Sequence, residues 1–148
     1  QVTGTLLGGC LDSLHDLLYP VRYDDEPQVA KKYHLFPQDW TDKILFIETS
    51  EDKISPATYR EYLGHLADHG VLQQVKAILV GKPQNETYFA DYQQVLLDVT
   101  QPYQTPILYN LNFGHAYPRT VLPYGLQATI DFDHRQLTVD EPYFSNPL

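Results

Sequence analysis

The chain has no methionine, a single cysteine and no hydrophobic run long enough to cross a membrane. One cysteine, Cys10, excludes a disulfide within the chain and a zinc site built from several thiolates. A spanning helix needs about 18 or more consecutive apolar residues, and no segment approaches that length. No basic flank precedes a long apolar stretch at the N-terminus, so no signal peptide is visible. These features predict a cytoplasmic protein without a membrane partner.

Basic residues are also few. Ten Lys and Arg stand against 19 Asp and Glu, which gives a formal net charge of −9. Because binding to a nucleic-acid backbone needs clustered positive charge, this scarcity argues against nucleic acid as a partner. The 148 residues, 43% of them hydrophobic, suit one globular domain. Since the chain starts at Gln1 and not at Met, we expect an excised piece or a processed product.

Apolar runs alternate with amphipathic segments along the middle of the chain. Continuous apolar runs predict strands buried on both faces at residues 43–48, 76–81 and 106–111. Apolar residues at helical spacing predict helices at 55–69 and 87–99. Ser55 is expected to be the N-cap of the first of these helices.

The N-terminal third is less regular. Residues 3–9 predict a short strand that runs into a glycine turn, and the leucine spacing of residues 11–18 predicts a helix. Residues 19–42 contain three prolines and an acidic cluster. They therefore predict a long irregular surface connection with about one helical turn.

The C-terminal segment has a different pattern. Residues 126–132 and 136–140 alternate apolar and polar side chains, which is typical of an antiparallel hairpin with one solvated face. Residues 141–148 are predicted to be a loose tail. The whole order, strand–helix–strand–helix–strand and then a hairpin, predicts an α/β fold with a mainly parallel central sheet.

Two predicted strands end beside residues that could do chemistry. Glu48 ends the strand 43–48, and the loop that contains His115 follows the strand 106–111. The carboxyl ends of parallel strands meet at one edge of a sheet, where ligands bind. We therefore expect the Glu48 carboxylate within hydrogen-bond reach of the His115 imidazole, as in the orienting half of a nucleophile–base–acid arrangement. From spacing alone, a solvated Glu and a structural turn at His115 remain equally open.

Several segments resemble the C-terminal domain of LD-carboxypeptidases and their microcin C immunity relatives. They are residues 6–9 (LLGG) with the leucine-rich helix after them, 44–48 (ILFIE), 81–82 (GK), 106–108 (PIL), 112–115 (NFGH), Pro118, 122–123 (LP) and Gly125. The resemblance covers essentially the whole chain and implies a domain of the swivelling β/β/α type. It also implies that residues 1–148 are one domain, the C-terminal domain of a two-domain peptidase.

In that family the catalytic triad is Ser–Glu–His, and the serine belongs to a separate N-terminal domain. The resemblance therefore implies that Glu48 and His115 are catalytic and that the nucleophile lies outside this chain. It implies a cytoplasmic, homodimeric serine carboxypeptidase that needs no metal or organic cofactor. The substrate would carry an amide bond next to a free carboxylate, either in a murein L,D-tetrapeptide during murein recycling or in a peptidyl nucleotide such as microcin C.

The chain departs from the family at Cys10, because an Asn usually follows the double glycine. We interpret Cys10 as a small buried thiol and not as a nucleophile. None of the four serines has the strand–turn–helix setting that exposes a nucleophile. They are Ser13, Ser50, Ser55 and Ser145.

Two other functions remain open from the sequence. The first is a binding or regulatory domain that keeps the fold without catalysis. The second is a metal-dependent hydrolase. His65 and His69 are four residues apart on a predicted helix, a spacing that can bind a metal, but no third ligand is near them in sequence. We expect both to be exposed histidines.

Overall fold

A computed structural model describes residues 1–20 and 22–144. The strands in these residues are β1 (Val2–Cys10), β2 (Lys43–Glu48), β3 (Ala77–Gly81), β4 (Ile107–Leu111), β5 (Gln127–Asp131) and β6 (Gln136–Val139). The helices are α1 (Leu11–Asp16), α2 (Glu26–Tyr33), α3 (Pro56–Asp68), α4 (Val71–Gln74) and α5 (Phe89–Thr100). None of these helices is long and apolar enough to cross a membrane.

All six strands form one sheet in the order β4-β3-β2-β1-β5-β6. Strands β1 to β4 are parallel, because a helical crossover joins each to the next. Strand β5 pairs antiparallel with β1, and β6 pairs antiparallel with β5 across a short turn. The predicted α/β class, with a mainly parallel sheet and a C-terminal hairpin, is confirmed.

The two faces of the sheet bury separate apolar clusters. Successive side chains of a strand point to opposite faces, so the unbroken apolar run of β2 contributes to both. On one face Leu45 and Ile47 pack with α1, α3 and α5 residues such as Leu63. On the other face Ile44 and Phe46 pack with the hairpin and with the segment that follows β4. Full burial of one such side chain stabilises the fold by about 1.5–3 kcal/mol.

The predicted glycine turn after the first strand is wrong. Gly8 and Gly9 lie within β1, which continues in register with β2 as far as Cys10. A Cβ on Gly8 would lie 1.8 Å from the carbonyl oxygen of Phe46, so only glycine permits this approach of the two strands. Gly8 thus serves a close interstrand contact and not a change of chain direction, whereas a Cβ on Gly9 would meet the Tyr124 hydroxyl at 2.6 Å.

The irregular connection predicted for residues 19–42 contains an eight-residue helix, α2. Pro27 lies in its first turn, where a missing N–H costs nothing, and His34 ends it in a left-handed conformation with φ of 53°. Ala30 is buried, whereas most of the other helix residues are exposed. A helix this short is marginal by itself, so tertiary packing decides whether it forms.

Helix α3 begins as predicted. The Ser55 side-chain oxygen accepts a hydrogen bond from the Thr58 N–H at 3.1 Å, and Pro56 is the first helical residue. The predicted tail is only partly observed: residues 141–144 form no helix or strand, and residues 145–148 lie outside the described residues.

A buried histidine joins α1 to α3. His15 is 4% exposed, and its Nε2 lies 2.8 Å from Nδ1 of His65. The His15 ring stacks on Tyr62, and Asp16 Oδ1 is 3.7 Å from its Nδ1. His65 is therefore partly buried and hydrogen-bonded to His15, contrary to the expectation of an exposed residue. His69 is exposed as expected.

Burial, and next the neighbouring His65, lower the pKa of His15 from its ordinary value of 6.5. The unfolded chain thus takes up a proton near pH 6.5 that the folded chain does not. The contribution of the neutral His15 side chain to the free energy of unfolding is therefore fully present above that pH. It is lost as the pH falls below it. We expect the free energy of unfolding, measured in urea, to fall between pH 7.5 and 5.5.

The slope with pH should be shallower in a His15→Gln variant, because no buried imidazole then resists protonation. The control is His34→Asn, which removes an exposed histidine at a left-handed position that Asn tolerates. It should keep the slope of the unmodified chain. An equal slope in the His15 variant would show that this buried pair does not govern acid stability.

Candidate active site

The carboxyl ends of the parallel strands bring the predicted site residues to one edge of the sheet. Cys10 and Glu48 are register partners at the ends of β1 and β2. Gly81, at the end of β3, pairs with Leu111 at the end of β4. The segment that leaves β4 therefore starts at this edge, close enough for the loop with His115 to reach Glu48.

Glu48 and His115 are hydrogen-bonded as predicted. Glu48 Oε2 lies 2.8 Å from His115 Nδ1 and also accepts the backbone N–H of His115 at 3.0 Å. Glu48 is 7% exposed and the His115 side chain is 35% exposed. An ionised carboxylate can only accept, so Nδ1–H is the donor of this hydrogen bond. This arrangement can orient an imidazole as a general base; its use in catalysis stays a prediction.

Glycines allow the loop to lie directly over the carboxylate. Gly114 has φ of 86°, and a Cβ on it would lie 2.4 Å from both Cγ and Oε2 of Glu48. A Cβ on Gly81 would likewise lie 2.8 Å from Glu48 Cβ. Any larger residue before His115 would displace the Glu48 side chain or the loop.

Glu51 is a further residue of the site that the sequence analysis missed. Its Oε2 lies 3.0 Å from His115 Nε2, and its side chain is 63% exposed. The imidazole is thus contacted by a buried carboxylate on one nitrogen and an exposed one on the other. Exposed pairs of this kind contribute at most about 1 kcal/mol, so Glu51 can leave at little cost. The only signal in the sequence was a second Glu three residues after Glu48.

Cys10 is only partly buried, contrary to the expected buried thiol, and it lies beside the Glu48–His115 pair. Its Sγ, a carboxylate oxygen of Glu48 and an imidazole nitrogen of His115 all lie within 4.8 Å of one another. The thiol donates a long hydrogen bond of 3.5 Å to Asp12 Oδ2. Burial, together with the Glu48 and Asp12 carboxylates, raises the pKa of Cys10 to about 12. A thiol that stays protonated agrees with the interpretation that Cys10 is not a nucleophile.

In residues 1–20 and 22–144 no serine hydroxyl is hydrogen-bonded to His115. Ser50 is buried and its Oγ accepts the Asp52 N–H, while Ser55 caps α3. Ser145 lies outside the described residues. The described chain thus contains the acid–imidazole pair without a serine on the imidazole.

The structure thus defines an α/β domain with a carboxylate–imidazole pair at the carboxyl edge of its parallel strands. The family profile of the LD-carboxypeptidase C-terminal domain matches residues 3–130. The chain therefore belongs to the LD-carboxypeptidase family, in which it corresponds to the C-terminal domain.

Known relatives agree with this assignment. The microcin C7 self-immunity protein MccF of Escherichia coli is 31% identical over 112 residues, which is 74% of this chain and 32% of MccF. An MccF-like protein of Streptococcus pneumoniae, solved in complex with AMP, is 42% identical with a TM-score of 0.88, over 94% of this chain and 41% of that one. MccF in complex with glutamyl sulfamoyl guanosine is 28% identical with a TM-score of 0.77, over 97% and 39%. The chain thus spans about a third to two fifths of the length of its relatives.

The contact between Gly114 and Glu48 can be tested with a pair of alanine variants. Gly114→Ala and Gly125→Ala both place a side chain at positive φ, but a Cβ at Gly125 meets nothing within 4 Å. We expect Gly125→Ala to lower the free energy of unfolding by roughly 1 kcal/mol. Gly114→Ala should cost about 1–3 kcal/mol more, because the added Cβ collides with the carboxylate.

Urea denaturation measures both costs, and NMR of the imidazole ring reports whether the Glu48–His115 hydrogen bond persists. Equal destabilisation by the two variants, with the ring signals unchanged in Gly114→Ala, would contradict the close packing of loop and carboxylate.

Proposed function

We propose that this chain carries the acid and the base of a serine carboxypeptidase whose nucleophile belongs to a separate N-terminal domain. The observation that carries the proposal is the hydrogen bond between buried Glu48 and half-buried His115 at the carboxyl edge of the sheet. The family assignment adds the reaction class, because its members bear the name of carboxypeptidases.

The geometry suits a defined division of roles. His115 Nε2 would take the proton of the attacking serine and return it to the leaving amine. Glu48 would hold the proton on Nδ1 and stabilise the imidazolium that forms. Glu51 must first release Nε2, which its exposure makes inexpensive.

Two features support an additional domain next to this one. The chain spans only 32–41% of the length of its relatives. In addition, the segment that follows His115 in the chain exposes large apolar side chains. They are Tyr117, Val121 and Tyr124, which are 73%, 72% and 62% exposed. Clustered apolar exposure of this kind marks a surface that another domain or a ligand covers.

The substrate class is part of the proposal, and the relatives support it. One relative was solved with AMP and another with an aminoacyl sulfamoyl nucleoside. These ligands favour a peptidyl or aminoacyl nucleotide over a murein L,D-tetrapeptide, the other substrate of the family resemblance. The cytoplasmic location, the homodimer and the role in murein recycling stay predictions.

A non-catalytic binding domain is the second candidate, and the contact of Glu51 with His115 Nε2 favours it. In such a domain the imidazole would serve as a structural link between two carboxylates, and no substrate would approach Nε2. The two functions differ in what removal of Glu51 does. If Glu51 only blocks a general base, the Glu51→Gln protein keeps its activity. If the imidazole is a structural link, Glu51→Gln lowers the free energy of unfolding.

Substitutions in the protein that includes its N-terminal domain test the roles directly. His115→Ala should reduce kcat by roughly 10⁴–10⁶-fold, because the general base is gone. Glu48→Gln should reduce it by roughly 10²–10⁴-fold, since the amide cannot support the imidazolium. His134→Ala, which removes an exposed histidine that also pairs with a carboxylate, is the matched control and should leave kcat unchanged.

The assay follows release of the C-terminal residue from an L,D-tetrapeptide and cleavage of an aspartyl-adenylate amide, with a chelator present. Residues 1–148 alone should hydrolyse neither substrate. Substantial activity of this chain alone, or full activity of the His115→Ala protein, would refute the assigned roles.

A further inference from the structure

Three side chains of metal-binding type converge at the edge of the sheet. Cys10 Sγ, an oxygen of Glu48 and a ring nitrogen of His115 lie within 4.8 Å of one another. No other group of three His, Cys, Asp or Glu side chains in the described part of the chain comes this close together. The proposed hydrolysis uses the carboxylate and the imidazole but gives the thiol no task.

The positions of these three residues are fixed by the fold. Cys10 and Glu48 are paired across neighbouring parallel strands. His115 is held by the hydrogen bond from its backbone N–H to Glu48 Oε2. Only side-chain rotations are therefore needed to change the distances between the ligand atoms, and no strand has to move.

The ligand set and the spacing suit zinc. Zinc binds cysteine sulfur at about 2.3 Å, imidazole nitrogen at about 2.0–2.1 Å and carboxylate oxygen at about 2.0–2.2 Å. Two atoms on one tetrahedral ion are then roughly 3.3–3.6 Å apart, by geometry from those bond lengths. The three ligand atoms lie within 4.8 Å of one another, so side-chain rotations can bring them to this spacing. Sulfur and nitrogen ligands also select zinc over magnesium or calcium.

The local charge favours a cation. Glu48 and Asp12 are buried acids beside the thiol, and Glu51 reaches His115 Nε2 at 3.0 Å from the solvent side. Glu51 is thus placed to accept an Nε2–H from a ring whose Nδ1 holds the ion, as carboxylates beside metal-bound imidazoles do. On binding, the S–H bond of Cys10 breaks, a sulfur–metal bond forms and the proton passes to the buffer. The charge of the ion makes this loss possible even for a thiol that otherwise stays protonated. The Nδ1 proton of His115 moves to Nε2 by exchange with water, which leaves the Nδ1 lone pair for the ion.

We propose that Cys10, Glu48 and His115 form a three-residue binding site for a zinc-class ion. The ion would draw Glu48 and the imidazole into its coordination shell and so prevent the pair from acting as acid and base. The site stands on the geometry of this chain alone, and only its inhibitory effect rests on the proposed function. It would make metal binding and hydrolysis mutually exclusive.

Cobalt(II) is the probe for this site, because a thiolate–cobalt bond gives a charge-transfer absorption in the near ultraviolet. Cys10 is the only cysteine, so the band reports this residue alone. Titration of the purified 148-residue chain with Co²⁺ should produce the band at one equivalent, and Zn²⁺ should abolish it by displacement. Cys10→Ser should lose the band altogether.

His115→Ala and Glu48→Gln test whether the other two residues are ligands. Each should raise the Kd for Co²⁺ at least tenfold, while circular dichroism shows that the variant is folded. His134→Ala is the control, because it removes an exposed histidine 3.0 Å from Asp131 and should leave the Kd unchanged.

Absence of the band in the folded chain at one equivalent of Co²⁺ would overturn the proposal. An unchanged Kd in both folded His115→Ala and Glu48→Gln would also overturn it, since the thiol would then bind alone. The hydrolysis assays contain a chelator, so failure of the metal site leaves the peptidase proposal intact, and inactivity in those assays leaves the metal site intact.

Discussion

The site depends on the burial of one carboxylate, that of Glu48. A carboxylate removed from water is costly unless donors surround it. Here two donors come from a single residue, since His115 offers both its backbone N–H and its ring Nδ1–H to the same oxygen. The buried carboxylate thus holds the loop after β4 in place, and the loop orients the His115 imidazole ring. An imidazole oriented in this way has its second nitrogen directed away from the sheet.

Glycine makes that arrangement sterically possible. Glu48 lies between the end of β3 and the loop after β4, and a Cβ on Gly81 or Gly114 would collide with it. Gly8 acts in the same way one strand further on, where β1 approaches Phe46 of β2. The parallel strands and the loop can therefore pack tightly around the Glu48 side chain.

The same edge of the sheet supports two chemistries with shared groups. A carboxylate and an imidazole serve proton transfer when Nε2 is free, and they serve metal binding when the Cys10 thiol joins them. Glu51 contacts Nε2 from the solvent side and therefore affects both proton transfer and metal binding. The balance between the two depends on which partner reaches His115, a substrate with its nucleophile or a soft metal ion.

The sequence by itself determined the central strands, the capped helix α3 and the placing of Glu48 and His115 at one edge of the sheet. Unbroken apolar runs must be buried on both faces, and the ends of parallel strands must share an edge. Only the tertiary structure decided the rest. Helix α2 is too short to form without packing, and β1 runs through its glycines because β2 lies against them. The contacts of Cys10 and Glu51 with His115 depend on strand register and loop path, which no local pattern of residues specifies.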